Sequence, residues 1–194
     1  MTTMAKTTYP KQLRLLKDEP KAHGGELMKT RAGRAQSRPL STKESMHLVV
    51  RSTLARGEWS FTKFKNRSLI KAIVNRASKR YGVRIHSMGV VGNHIHFHLK
   101  LGNRYLYNGF IKSLTIGIAM AVTGTSRLNP VLKNQVRKFW DYRPFTRVVR
   151  GFRSFLNLKD YIGINQLEGF GLTRREAQFY FAWDRLSAKK PNTC

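Results

Sequence analysis

Val90-Val91-Gly92-Asn93-His94-Ile95-His96-Phe97-His98-Leu99 places three histidines at every second position of an apolar run. Side chains alternate between faces along a β-strand, so His94, His96 and His98 share one face and Ile95, Phe97 and Leu99 share the other. The apolar face needs a core to pack against. The opposite face is a row of imidazoles, which offers nitrogen ligands to a metal or contacts to a phosphate. Just upstream, Val83–Val91 is a second β-rich run, and Gly92-Asn93 is a tight-turn dipeptide. The two runs are therefore expected to form a hairpin, with the histidine row starting immediately after the turn.

Working outward, Met46–Ser52 reads as a first strand. Arg56-Gly57-Glu58 is a turn, and Asn66 or Ser68 is expected to cap a helix that runs to about Arg80 and ends at Gly82 in a left-handed conformation. Beyond the hairpin, Asn103 is expected to cap a helix from Arg104 to Val122, closed by Gly124. Phe145–Arg150 reads as a fourth strand that Gly151 breaks, and a helix over Ser154–Gln166 stops at Gly169-Phe170-Gly171. Arg174–Leu186 is a final amphipathic segment. This order predicts an α+β, ferredoxin-like (split βαβ) fold: a four-stranded antiparallel sheet with two helices on one face. The other face is left open, and the helix after strand four is free to lie across it.

The chain has 194 residues and a net charge of +27, from 37 Lys and Arg against 10 Asp and Glu. Such an excess calls for a polyanion, and nucleic acid is the commonest one. The most apolar run, Leu114–Val122, falls short of the roughly 20 apolar residues of a spanning helix, so no membrane partner is expected. The single cysteine, Cys194, leaves no pair for a disulfide and fits a reducing cytoplasm, and no signal-peptide pattern opens the chain. Residues 1–45 are polar, basic and rich in Pro and Gly, and are expected to form a largely flexible arm with a short helix around Gln12–Lys17. Arg31, Arg34 and Arg38 in that arm are placed to track phosphates. The main domain is expected over 46–169, followed by a C-terminal helical segment and basic tail over 170–194.

Acidic residues are scarce and cysteine is all but absent, which disfavours a structural zinc site. Two imidazoles with one oxygen ligand suit a divalent ion with open positions for phosphate oxygens. His47 and His86 read as ordinary strand residues.

Gly92-Asn93-His94-Ile95-His96 resembles the His-hydrophobic-His motif of the HUH single-strand nucleases, and Asp160-Tyr161-Ile162-Gly163-Ile164-Asn165 resembles the tyrosine helix of the single-tyrosine transposases. The layout is similar to that of the REP-associated tyrosine transposases over about Met46–Gly169. Gly92 and Gln166 depart from the family, which usually has Pro at the first and often at the second, and neither removes a reacting atom. The resemblance implies that His94, His96 and Asn165 hold Mg²⁺ or Mn²⁺ and that Tyr161 is the nucleophile. Tyr161 and Asn165 are four apart and so share a helix face, whereas Gln166, a fallback ligand, is turned away. It further implies cleavage and rejoining of hairpin-forming single-stranded DNA through a 5′-phosphotyrosine link, by a monomer or a homodimer, in the cytoplasm or on the nucleoid. Arg147, Arg150, Arg153 and His98 are the expected DNA contacts near the site, and Phe139, Trp140 and Tyr142 are either base-stacking or core residues. A non-catalytic nucleic-acid-binding protein on the same fold is the competing expectation, and a basic protein of membrane surfaces the third.

Overall fold

The computed structural model describes residues 23–24, 39–125 and 139–187. Its strands are β1 (His23–Gly24), β2 (Ser45–Arg51), β3 (Val83–Val91), β4 (His94–Leu101) and β5 (Phe145–Val149). The helices are α1 (Phe64–Arg80), α2 (Tyr107–Thr123), α3 (Phe152–Glu168) and α4 (Arg174–Ser187). The sheet order is β1-β5-β2-β4-β3, and every neighbouring pair is antiparallel. Strands β2 to β5 with α1 and α2 make the expected split βαβ unit, the hairpin bounds included. None of the described helices is long and apolar enough to cross a membrane.

The alternation in β4 divides the sheet as the sequence predicts. Ile95, Phe97 and Leu99 are fully buried with Met46, Leu48 and Val50 of β2 in one large core. That core is closed by α1 and α2, which contribute Ile70, Ile73, Val74 and Ala77, and Phe110, Leu114, Ile118 and Val122, each set recurring at helical spacing. Gly82 and Gly124 end these helices at φ 61° and 69°, a left-handed conformation in which a Cβ would clash with the backbone.

Several local expectations are corrected. Helix α1 starts at Phe64, so Asn66 lies inside it and caps nothing; its Nδ2 donates to the carbonyls of Glu58 (2.7 Å) and Ser60 (2.9 Å) and ties the preceding turn to the helix. Asn103 accepts from Tyr105 N (2.8 Å) in a turn just ahead of α2, which begins three residues later than Arg104. Within the stretch expected to be a flexible arm, His23 and Gly24 pair with Arg147 and Thr146 and add a fifth strand. That pairing uses only backbone groups of the β5 edge, so no side-chain pattern announces it. Phe139 and Trp140 belong to the core side: Phe139 is buried against Phe61, and Trp140 Nε1 donates to Thr115 O (2.9 Å). The expected helix around Gln12–Lys17 lies outside the described residues, as do Arg31, Arg34 and Arg38.

Candidate active site

Helix α3 lies on the histidine face. Phe155 packs on His98 (ring centroids 4.3 Å apart), Ile162 sits over Gly89, and Gln166 Oε1 accepts from Val90 N (2.8 Å). These contacts fix the helix parallel to β3 and bring its later turns to the level of His96 and His94, which pair with Gly89 and Val91. The approach is close because position 89 has no side chain: a Cβ there would lie 2.9 Å from the Ile162 carbonyl oxygen.

The two central histidines are oriented from different places. His94 Nδ1 is 2.9 Å from Asn93 Oδ1, an acceptor, so Nδ1 carries the proton and Nε2 keeps its lone pair. His96 Nδ1 is 3.1 Å from Nε2 of His47 on β2, while His96 Nε2 is buried with no hydrogen-bond partner. Nε2 is without a partner in either tautomer; with the proton on Nδ1, His96 donates to His47 and Nε2 keeps the lone pair that a metal ligand needs. Both rings are neutral at pH 7. Burial, then the neighbouring His94 and His47, lower the His96 pKa to about 3. Burial, then Arg147 and His98, lower that of His47 to about 4. His94 is also lowered, by burial and then by Arg51.

Tyr161 of α3 stands edge-on to His96 (centroids 5.5 Å, 87°) and to His47 (6.1 Å, 78°), and is 39% exposed. One turn later, Asn165 is 8% exposed and its Nδ2 donates to Tyr161 O at 2.6 Å. Since a carbonyl can only accept, this contact assigns the amide nitrogen and leaves Oδ1 for another partner. The same chain thus supplies the imidazoles, the phenol and the amide.

The other sequence candidates fall elsewhere. His98, expected to contact DNA, is fully buried: its Nε2 is 2.9 Å from Ser45 Oγ, and its ring is covered by Phe155 and His86. It faces the right way along the strand, but α3 roofs it over. Gln166, the fallback ligand, spends its oxygen on the Val90 N–H. Arg147 is exposed on β5 directly across from His47, and its charge is one cause of the low His47 pKa. Arg150 and Arg153 are exposed where β5 turns into α3. His47 is the residue that sequence reasoning missed; its alternation along β2 with Val49 and Arg51 signals only a face, not a neighbour. On α4, Phe179, Tyr180 and Trp183 form an exposed aromatic surface, with the Phe179 and Trp183 rings stacked at 23°.

Neither a protein-family profile nor a curated protein sequence matches this chain. Solved structures do. A REP-associated tyrosine transposase bound to a REP hairpin superposes with a TM-score of 0.52 over 69% of this chain and 72% of its own, at 14% identity. The two share a fold. A candidate transposase from Deinococcus radiodurans matches over 70% of this chain and 98% of its own at 14% identity, but its TM-score of 0.39 carries no weight. On that shared fold Tyr161 meets His96 and His47, and Asn165 follows one turn later on the same helix.

A divalent ion fits the donors present. His96 Nε2 is a buried nitrogen with no partner, His94 Nε2 is left bare by Asn93, and Asn165 offers a carbonyl oxygen. Among the described residues no three His, Cys, Asp or Glu side chains gather with metal-binding geometry, so an amide oxygen would have to complete such a set. Two neutral imidazoles and one amide oxygen form the mixed nitrogen and oxygen donor set that a divalent ion would use here.

Proposed function

We propose that this chain is a transposase that cleaves and rejoins single-stranded DNA at hairpin-forming repeats, through a covalent link to Tyr161. One observation carries the reading: the Tyr161 phenol stands edge-on to His96, whose Nε2 is buried without a partner. A nucleophile and an orphaned ligand nitrogen on facing elements are what metal-assisted phosphoryl transfer needs. His94, His96 and Asn165 would hold Mg²⁺ or Mn²⁺, which when bound supplies Lewis-acid polarisation of a phosphate. Tyr161 Oη attacks phosphorus as the bond to the 3′-oxygen breaks. The phenol proton passes to solvent, the leaving 3′-oxygen takes one up, and the products are a 5′-phosphotyrosine and a free 3′-OH. Attack by a 3′-OH on that link restores both the phosphodiester and the tyrosine, so no nucleotide cofactor is consumed. Since one chain carries both halves of the site, a monomer suffices.

The +27 charge supports a polyanionic substrate, and Arg147, Arg150 and Arg153 are exposed beside the site to meet phosphates. Unpaired bases would stack on Phe179, Tyr180 and Trp183. The protein whose fold it shares was solved with a REP hairpin, which supports hairpin-bearing DNA as the substrate, and a DNA substrate puts the place of action in the cytoplasm. The test is incubation with hairpin-bearing single-stranded DNA and Mn²⁺. A denaturation-resistant protein–DNA adduct is expected from the wild type and none from Tyr161→Phe. Tight binding across varied hairpins with no adduct would leave a non-catalytic DNA-binding protein.

A further inference from the structure

We propose that His47 is a positioning residue: from β2 it accepts a hydrogen bond from His96 Nδ1 and so turns the bare Nε2 of His96 toward a bound metal. The inference rests on the reading of His94 and His96 as ligands. It starts from an asymmetry between them. Asn93, in the hairpin turn, orients the adjacent His94 locally. His96 sits deeper, with Ile95 and Phe97 buried on either side of it in sequence. Its Nδ1 partner comes from another strand, at 3.1 Å.

The register explains how. β2 and β4 pair with His47 opposite His98 and Val49 opposite His96, so His47 and His96 are diagonal neighbours on one face. Their rings stack at 5.3 Å and 18°. The His47 ring is held on two further sides, by Phe145 (5.9 Å) and Tyr161 (6.1 Å), both edge-on. Packing on three sides limits its rotamers, so the acceptor stays aimed at His96. An imidazole ligand whose second nitrogen is hydrogen-bonded has a fixed tautomer and ring angle, and removing such a partner typically weakens metal binding by 10- to 100-fold. Because Tyr161 also rests against His47, the same residue sets the nucleophile beside the ligand.

The test is calorimetric titration of Mn²⁺ into wild type, His47→Leu, His47→Gln and His96→Ala, with thermal melts of each metal-free protein. The Leu variant is expected to bind Mn²⁺ 10- to 100-fold more weakly while remaining folded. The Gln variant, whose amide oxygen reaches the same point, is expected to stay within about threefold of wild type. Equal Mn²⁺ affinity in wild type and a folded Leu variant would overturn the role of His47 alone. Failure of the wild type to bind Mn²⁺ in a way that His96→Ala abolishes would overturn the ligand reading with it. Should the Leu variant not fold, ¹⁵N spectra of the wild-type histidines decide: a proton on His96 Nδ1 is expected, and one on Nε2 overturns the proposal.

Discussion

The two faces of the sheet solve the same burial problem with different chemistry. Under α1 and α2, the face of Ile95, Phe97 and Leu99 is packed mostly with apolar side chains, with Thr146 the buried polar residue that β5 adds to it. Under α3, the apolar cluster is small, Val149, Leu158 and Ile162 with Phe155 at its edge, and it shares the buried space with Val49, Ser45, His47, His96, His98 and Asn165. The first face gains stability from every contact. The second buries imidazoles that must stay neutral, and it leaves two of their nitrogens, His96 Nε2 and His98 Nδ1, without a hydrogen-bond partner. On the proposed reading, the second face offers bare donor atoms and is packed less fully for it, while the first face carries most of the apolar packing.

Acid should separate the faces most strongly. His47, His96 and His98 have native pKa values of about 4, 3 and 4, below the unfolded value near 6.5. The unfolded chain therefore binds more protons in this range, and stability falls as pH drops from about 6.5 toward 4. By pH 4.5 each of these histidines should cost about 2–3 kcal/mol relative to pH 7. Hydrogen exchange across that range should show α3 losing protection before α1 and β4; simultaneous loss would break the contrast.

On the apolar face, Phe97→Ala removes a fully buried ring and should destabilise by about 3–5 kcal/mol in urea unfolding, with little dependence on pH between 5 and 7. Gly89→Ala probes the closeness of the second face. Its Cβ would meet the Ile162 carbonyl at 2.9 Å, so α3 must lift, at a cost of about 1–3 kcal/mol together with weaker Mn²⁺ binding and less DNA adduct. The smallest effect sharpens the ligand set. Gln166→Leu strands the Val90 N–H and should cost about 1–2 kcal/mol while leaving Mn²⁺ affinity within twofold, whereas Asn165→Ala should lower that affinity.

Much of this was legible in the chain. The hairpin could be read from Gly92-Asn93 between two β-rich runs, and the division of β4 into faces from its strict alternation. The helix ends at Gly82 and Gly124 followed from the one residue type that adopts positive φ freely. The resemblance singles out Tyr161 and Asn165, and the structure sets Tyr161 beside His96. Other features hid because they depend on partners distant in sequence. His98 carries the same alternation as His94 and His96, yet the contact with Phe155 seals it from solvent. Phe139 and Trp140 are equally suited by type to bases and to a core, and it is Phe61, against both, and Thr115, against Trp140, that decide for the core. The strand at His23–Gly24 has no side-chain signature at all.

By itself, the sequence determined periodicity, and with it the strands, the helices and the face on which each histidine lies, because these follow from local geometry repeated every two or 3.6 residues. Only the tertiary structure decided which imidazole stands next to which. The pairing register of β2 with β4 set His47 against His96, and the seating of α3 on Gly89 chose which of the three histidines in the β4 row to cover and which to place beside Tyr161.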